Sequence, residues 1–328
     1  MMSFLRRWHT PLRWMISGGA LGLMASRVDW PQLGERFAKA HPGWLALSAL
    51  LSVGVVLLMA WRWKLVLRAC DLDVPFGATS EVTFIGQFFN SFLPGSTGGD
   101  VVKAWSASRW APDRKAAPAV SIAYDRLLAL LALFIVSAVA LGLQAIEHAN
   151  LRWLFERFLF LTLGALLSGI VAVLAVPRLA QQFFKKHSHH CRLAPDATRH
   201  FLAACGVALP THLINCVAAL CVAHAVDLDV DFWQVAVAVA FVNCSSLLPV
   251  SIAGHGLREA GFVFIFGLYG VLGAEGTHGS IFERVLAFSI LFYARSLVSS
   301  VSGGFCYARV RLSMQNTSEV PGAELAVP

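Results

Sequence analysis

Five stretches of about 20 residues or more, uncharged apart from histidine, run through the chain at 42–61, 127–146, 158–177, 201–226 and 232–257. At about 1.5 Å per residue each is long enough to cross a hydrocarbon core of about 30 Å as a helix. Lipid offers the backbone no hydrogen-bond partners, so a spanning chain must be helical or form a closed barrel. A barrel would show short segments of alternating apolar and polar residues, and that pattern is absent. Hydrophobic residues make up 57% of the chain, charged residues 14%, and the mean hydropathy is +0.65; soluble domains carry about 25% charge. The fold class expected is all-α, a polytopic integral membrane protein of about 7–8 transmembrane helices.

Basic residues orient the chain. Arg62, Lys64 and Arg68 lie in 61–80, Lys103, Arg109, Arg114 and Lys115 in 100–116, and five Lys or Arg in 178–200, whereas "DLDVD" at 227–231 has three aspartates. The positive-inside rule puts the first three in the cytoplasm and 227–231 outside. The N-terminus has an apolar run of 13 between Arg13 and Arg27. It is read as a retained first helix with a cytoplasmic N-terminus held by Arg6, Arg7 and Arg13; the alternative is a cleaved secretory signal. The last 15 residues are polar and small, and 313–328 is expected to be a disordered tail.

Between two cytoplasmic flanks lies "FFNSFLPGSTGGDVVKAW" (88–105), a membrane-like helix broken by a proline and glycines. A segment that leaves and returns on one side is re-entrant, and irregular backbone at that depth must be buried in protein or line a polar cavity. Residues 242–260, "VNCSSLLPVSIAGHGLREA", echo it. Each copy has an asparagine (Asn90, Asn243), a Leu-Pro ending at Pro94 or Pro249, and a serine two residues later (Ser96, Ser251). A glycine pair follows (Gly98 and Gly99; Gly254 and Gly256), then a basic residue nine positions after the proline (Lys103, Arg258). The offset is 155 residues. Paired broken helices in two halves point to a transporter's binding site, so the repeat cores are placed near 82–126 and 237–273 of one domain, 1–312. Whether 232–250 crosses the membrane or re-enters it stays open, and with it the side of the C-terminus.

Ionisable residues in apolar helices are costly and mark function by default. Asp125 and Arg126 begin a long apolar helix, Arg258 and Glu259 follow the second break, and Arg295 interrupts the last helix. Neighbours on a helix point about 100° apart, so Asp125 and Arg126 need separate partners. Glu283 and Arg284 fit either interface anchoring or a functional role. Lys103, Arg126, Arg258 and Arg295 are the expected headgroup-binding cations. They sit beside loops and helix starts whose free N–H groups suit an anion such as a lipid phosphate. Asn90, Pro94, Ser96, Gly98, Gly99, Asp100, Asp125, Asn243, Pro249, Ser251, Gly254, Gly256 and Glu259 would line the groove or orient those cations.

Other classes find little support. Neither a P-loop pattern nor H-E-x-x-H or G-x-S-x-G occurs, so no catalytic residue and no cofactor is expected. His212 reads as a packing residue. "KKHSHHCR" (185–192) fits no zinc spacing and is read as a basic loop, leaving no metal site. Cysteines within apolar runs act as small hydrophobes. The net charge of +7 is loop charge facing anionic lipid and implies no nucleic-acid partner.

"FFNSFLPGSTGGDVVKAW", "YDRLLALLALF", "LLPVSIAGHGLREAGFVFIFGLYGV" and "AFSILFYARSLVSS" together resemble the lysylphosphatidylglycerol synthase transmembrane region family, also called flippase-like domain proteins, over roughly residues 12–307. In the relative known as the multiple peptide resistance factor, the membrane part is held to flip an aminoacylated phospholipid made by a fused synthase domain. No such domain follows here, so the resemblance implies a stand-alone membrane unit. Other stand-alone relatives are associated with hopanoid, glycolipid or polyprenyl-linked pathways. The family's polar signature maps to Pro94, Gly98, Gly99, Asp100, Arg126, Gly254, Gly256, Arg258 and Glu259. Asp100 and Lys103 stand where many relatives are expected to have glutamate and arginine. The function implied is a lipid translocase of the bacterial inner membrane, with membrane lipid and envelope-lipid biosynthetic enzymes as partners. The rival is a non-transporting scaffold or regulator of such an enzyme.

Overall fold

The computed structural model describes residues 28–92, 98–114, 116–147, 152–157, 193–245, 256–270 and 278–318, with Gly22, Ser26, 159–160 and 163–164 as isolated positions. Among them are helices α1 (Trp30–Lys39), α2 (Pro42–Ala69), α3 (Phe76–Phe92), α4 (Gly98–Ala107), α5 (Ala116–Glu147), α6 (Ala197–Ala225), α7 (Phe232–Ser245), α8 (Leu257–Leu268) and α9 (His278–Ser318), and no strand. Two 3₁₀ turns, Ser108–Trp110 and Pro112–Arg114, join α4 to α5. Apolar stretches long enough to cross a membrane occur in α2, α5, α6 and α9. The expected first helix, most of 158–177 and the 185–192 loop lie outside the described residues.

α2 and α6 lie against each other along much of their length. Small side chains allow that approach: Ala60, Ala204, Ala208, Ala218 and Ala219 are fully buried. Without a hydrophobic drive between helices in lipid, such close contact and interhelical hydrogen bonds supply the attraction. Ser48 Oγ donates to the Ala218 carbonyl at 2.6 Å. α5 packs on α2, α6 and α7, and α9 runs past α1, α2, α3 and α8. His212 Nε2 lies 3.0 Å from the Ala129 carbonyl, tying α6 to α5.

α3 and α4 have 17 and 10 residues, about 26 and 15 Å long, so neither spans a bilayer. They fold back on each other. Gly99 meets Gly86 and Asn90, where a Cβ would overlap the Gly86 carbonyl oxygen, and the stem of Lys103 lies over Gly86. Both outer ends of this hairpin lie at the end of the molecule bearing Arg68 and Arg114; Arg114 Nη2 donates to the Asp71 carbonyl at 2.6 Å. This is the basic end.

α7 and α8, 14 and 12 residues long, form a second antiparallel hairpin. Phe241 and Phe264 have ring centroids 5.8 Å apart, and a Cβ on Gly261 would stand 3.0 Å from Val242. Its outer ends are at the opposite, acidic end, where Asp227 and Asp231 lie. Arg284 Nη1 donates to the Asp227 carbonyl at 2.8 Å, and the Asp29 amide donates to Glu283 Oε1 at 3.2 Å. Glu283 and Arg284 thus anchor the start of α9 at that end.

Of the two readings left open for 232–250, the pairing agrees with the re-entrant one: 232–245 and 257–268 are the two arms of a hairpin whose outer ends share the acidic end. The side expected for the tail on that reading is what changes. α9 then carries the chain from the acidic end to the basic end. A second correction concerns the tail: α9 continues to Ser318, beyond the expected boundary at 313. No glycine or proline lies between 305 and 318, and extending a formed helix adds one hydrogen bond per residue fixed.

Candidate functional site

The first break is backed by a buried charge cluster. Asp125 of α5 is gripped by Arg62 of α2, whose Nε donates to Oδ1 at 2.8 Å and Nη2 to Oδ2 at 3.2 Å. Lys103 of α4 points at the same carboxylate from further away, with Nζ 3.9 Å from Oδ2. Its ammonium rests 3.8 Å from the centroid of the Trp63 ring, and Trp63 is fixed by its Nε1 donating to Ser121 Oγ at 3.0 Å. Arg62, Asp125 and Lys103 are only 3%, 4% and 6% exposed. Arg126 turns the other way, as the 100° step requires, and its Nε donates to Asp100 Oδ2 at 2.6 Å. Its side chain keeps 44% of its surface exposed.

Two helix starts point into the interior of the molecule. α4 begins at Gly98, and Asn90 Oδ1 accepts from the Gly99 amide at 2.8 Å, so the last turn of one arm caps the first turn of the other. α8 begins after Gly256, whose φ of +84° is a left-handed value that a residue with a Cβ resists. Here the cap is local: Glu259 Oε2 accepts from the Gly256 amide at 2.7 Å while its Oε1 accepts from Arg258 Nη2 at 2.7 Å. Each start directs the positive end of its helix dipole toward the interior of the molecule.

The hairpins enter from opposite ends and meet at α9. The Arg258 guanidinium stacks 4.5 Å from the centroid of the Tyr293 ring. The Tyr293 hydroxyl donates to the Ser91 carbonyl at 3.3 Å, on the last turn of α3. The Ser91 and Ser300 hydroxyls lie 2.6 Å apart, and Gly303 lets α9 approach so closely that a Cβ there would overlap the Phe84 carbonyl.

Lys103, Asp125, Asp100, Arg126, Asn90, Gly98 and Gly99 therefore gather at the first hairpin, and Arg258, Glu259 and Gly256 at the second. Asn243 is half-buried on α7. Arg295 stands apart from both groups, contrary to expectation. It is buried between α2 and α6, with Nη1 donating to Ser52 Oγ at 2.7 Å and Nη2 to Asn215 Oδ1 at 2.8 Å. Pro94, Ser96, Pro249, Ser251 and Gly254 lie outside the described residues. Arg62, Trp63 and Tyr293 are site residues that the sequence reading passed over. For Arg62 and Trp63 a signal existed, because the apolar pattern resumes at 65–67 and keeps them inside a helix. Among the described residues no group of three or more His, Cys, Asp or Glu gathers to hold a metal, and the cysteines are free.

The family model of the lysylphosphatidylglycerol synthase TM region matches residues 12–294. No curated protein matches the chain.

Proposed function

Because the chain belongs to the lysylphosphatidylglycerol synthase transmembrane-region family, we propose that it translocates a phosphate-bearing or isoprenoid-type envelope lipid and holds its headgroup at the first helical break. Lys103 carries this reading. Its ammonium has three donors, is almost wholly buried, and lies 3.9 Å from the Asp125 carboxylate and over the face of Trp63, with Asp100 acting on it through space. A buried ammonium without hydrogen bonds is costly, and a phosphate oxygen would remove that cost. Arg126, half-exposed beside it, would take a second oxygen, and the start of α4 adds N–H groups. Val101 and Trp105, exposed on α4, offer an apolar face for the tails.

Arg258 acts at the other break through Tyr293, so a headgroup passing from one hairpin tip to the other moves along α9. Arg295, held by neutral partners, positions α9 against α2 and α6. In the same reading the basic end faces the cytoplasm of a bacterial inner membrane, the chain performs no covalent chemistry, and envelope-lipid biosynthetic enzymes supply or consume its cargo. The test is mass spectrometry of lipids retained in mild detergent by wild type, Lys103→Ala, Arg126→Ala and Arg258→Ala. It is paired with transbilayer movement of those lipids in reconstituted vesicles. One lipid class enriched by wild type and lost from Lys103→Ala and Arg126→Ala supports the reading. Folded variants that keep wild-type lipid content and movement would instead favour a scaffold for an envelope-lipid enzyme.

A further inference from the structure

Resting on the headgroup reading and narrowing it, we infer that the first-break site selects lipids whose headgroup is net anionic and lacks an ammonium group, and that Arg62 sets this preference. The carboxylates at the site are already committed to cations. Both oxygens of Asp125 accept from Arg62, and Asp100 accepts from Arg126. A headgroup amine would therefore have to compete with Arg62, Lys103 or Arg126 for its counter-charge. The buried set Arg62, Lys103 and Asp125 carries two positive charges against one negative, and in a poorly screened interior like charges repel strongly.

Cations are held by the π-face of tryptophan or tyrosine, and three such rings among the described residues already carry one. Lys103 covers Trp63, Arg109 covers Trp105 at 4.6 Å, and Arg258 covers Tyr293. The site is thus furnished for a phosphate, and a choline-like, ethanolamine or aminoacyl headgroup would enter it against cations already in place.

Arg62 produces the imbalance. By taking Asp125 in a two-pronged grip it leaves Lys103 at 3.9 Å, beyond hydrogen-bonding reach of that carboxylate. With Arg62→Gln, Asp125 is released to pair with Lys103 and the buried excess charge disappears. Arg62→Lys keeps the charge.

The experiment delipidates the full-length protein and equilibrates it with vesicles of equal parts phosphatidylglycerol, phosphatidylethanolamine and lysyl-phosphatidylglycerol. Retained lipid is then quantified by mass spectrometry. Wild type is expected to enrich phosphatidylglycerol about tenfold over either amine-bearing lipid, a difference of about 1.4 kcal/mol. Arg62→Lys should keep the preference and Arg62→Gln should reduce it to about twofold. Equal retention of all three lipids by wild type, lost in Lys103→Ala, would overturn the selectivity while leaving the headgroup site standing. No retention above bulk in wild type, unchanged by Lys103→Ala, would overturn both. A full tenfold preference persisting in Arg62→Gln would remove Arg62 from the account.

Discussion

Replacing Gly99 by alanine tests the geometry that forms the first hairpin. A Cβ there would overlap the Gly86 carbonyl oxygen and stand 2.6 and 2.7 Å from Cγ and Oδ1 of Asn90. One obstacle is backbone and the other is the capping side chain, so relief requires α3 and α4 to separate. Overpacking of this kind costs about 1–3 kcal/mol. Separation also stretches the 2.8 Å bond from the Gly99 amide to Asn90, worth about 0.5–1.5 kcal/mol. Alanine's better helix propensity returns up to about 1 kcal/mol, which leaves a net loss of about 2 kcal/mol. Gly54 of α2 is the control, since nothing lies within 4 Å of its added Cβ. In detergent, thermal unfolding followed by tryptophan fluorescence should place Gly99→Ala about 3 °C below wild type. Gly54→Ala should melt at or slightly above wild type. If the two variants melt together, the helices do not cross at Gly99 and the hairpin as described is wrong.

Asp125→Asn strands Arg62 and Lys103 without their carboxylate, and a broken buried pair costs about 3–5 kcal/mol. Asp73→Asn, at the exposed pair with Arg68, should change stability by less than about 1 kcal/mol; a thermal melt of both variants compares them directly. Tyr293→Phe keeps the ring under Arg258 and deletes the hydroxyl bonded to Ser91. The expected outcome is unchanged lipid retention with slower transbilayer movement, and equal loss of both would count against a link between the hairpin tips. Cysteines placed at Asp113 and Asp229, in a background without native cysteines, should react with an impermeant maleimide from opposite sides of sealed vesicles. Labelling from the same side would refute the opposed hairpins.

What the sequence discloses follows the range of each interaction. α2, α5 and α6 are local features, since an uncharged run longer than a bilayer is thick has few alternatives to a spanning helix. The separate partners of Asp125 and Arg126 also follow locally, from the helical step between adjacent residues. Arg62 escaped notice because it directly follows an uncharged run and looks like loop charge, although α2 continues to Ala69. Its role depends on α5 arriving from 63 residues away. The union of α7 with α8 rests on Gly261 against Val242 and Phe241 against Phe264, contacts that no periodicity within either segment announces. Arg295 interrupts an apolar helix just as Arg126 does, and only the positions of Ser52 and Asn215 distinguish a helix-packing arginine from one near the break.

The meeting of α3 with α9 has a consequence for biogenesis. Ser91 and Ser300 are 209 residues apart, and Gly303 closes on Phe84 from α9, made long after the first hairpin. At about 5–20 residues per second, the first hairpin would wait on the order of 10–40 s for the helix that backs it. During that interval its Phe84–Ser91 face depends on lipid, an insertase or a chaperone for cover. A nascent chain stopped before residue 300 should therefore be a substrate for membrane proteases, even though every residue of the first hairpin has been made.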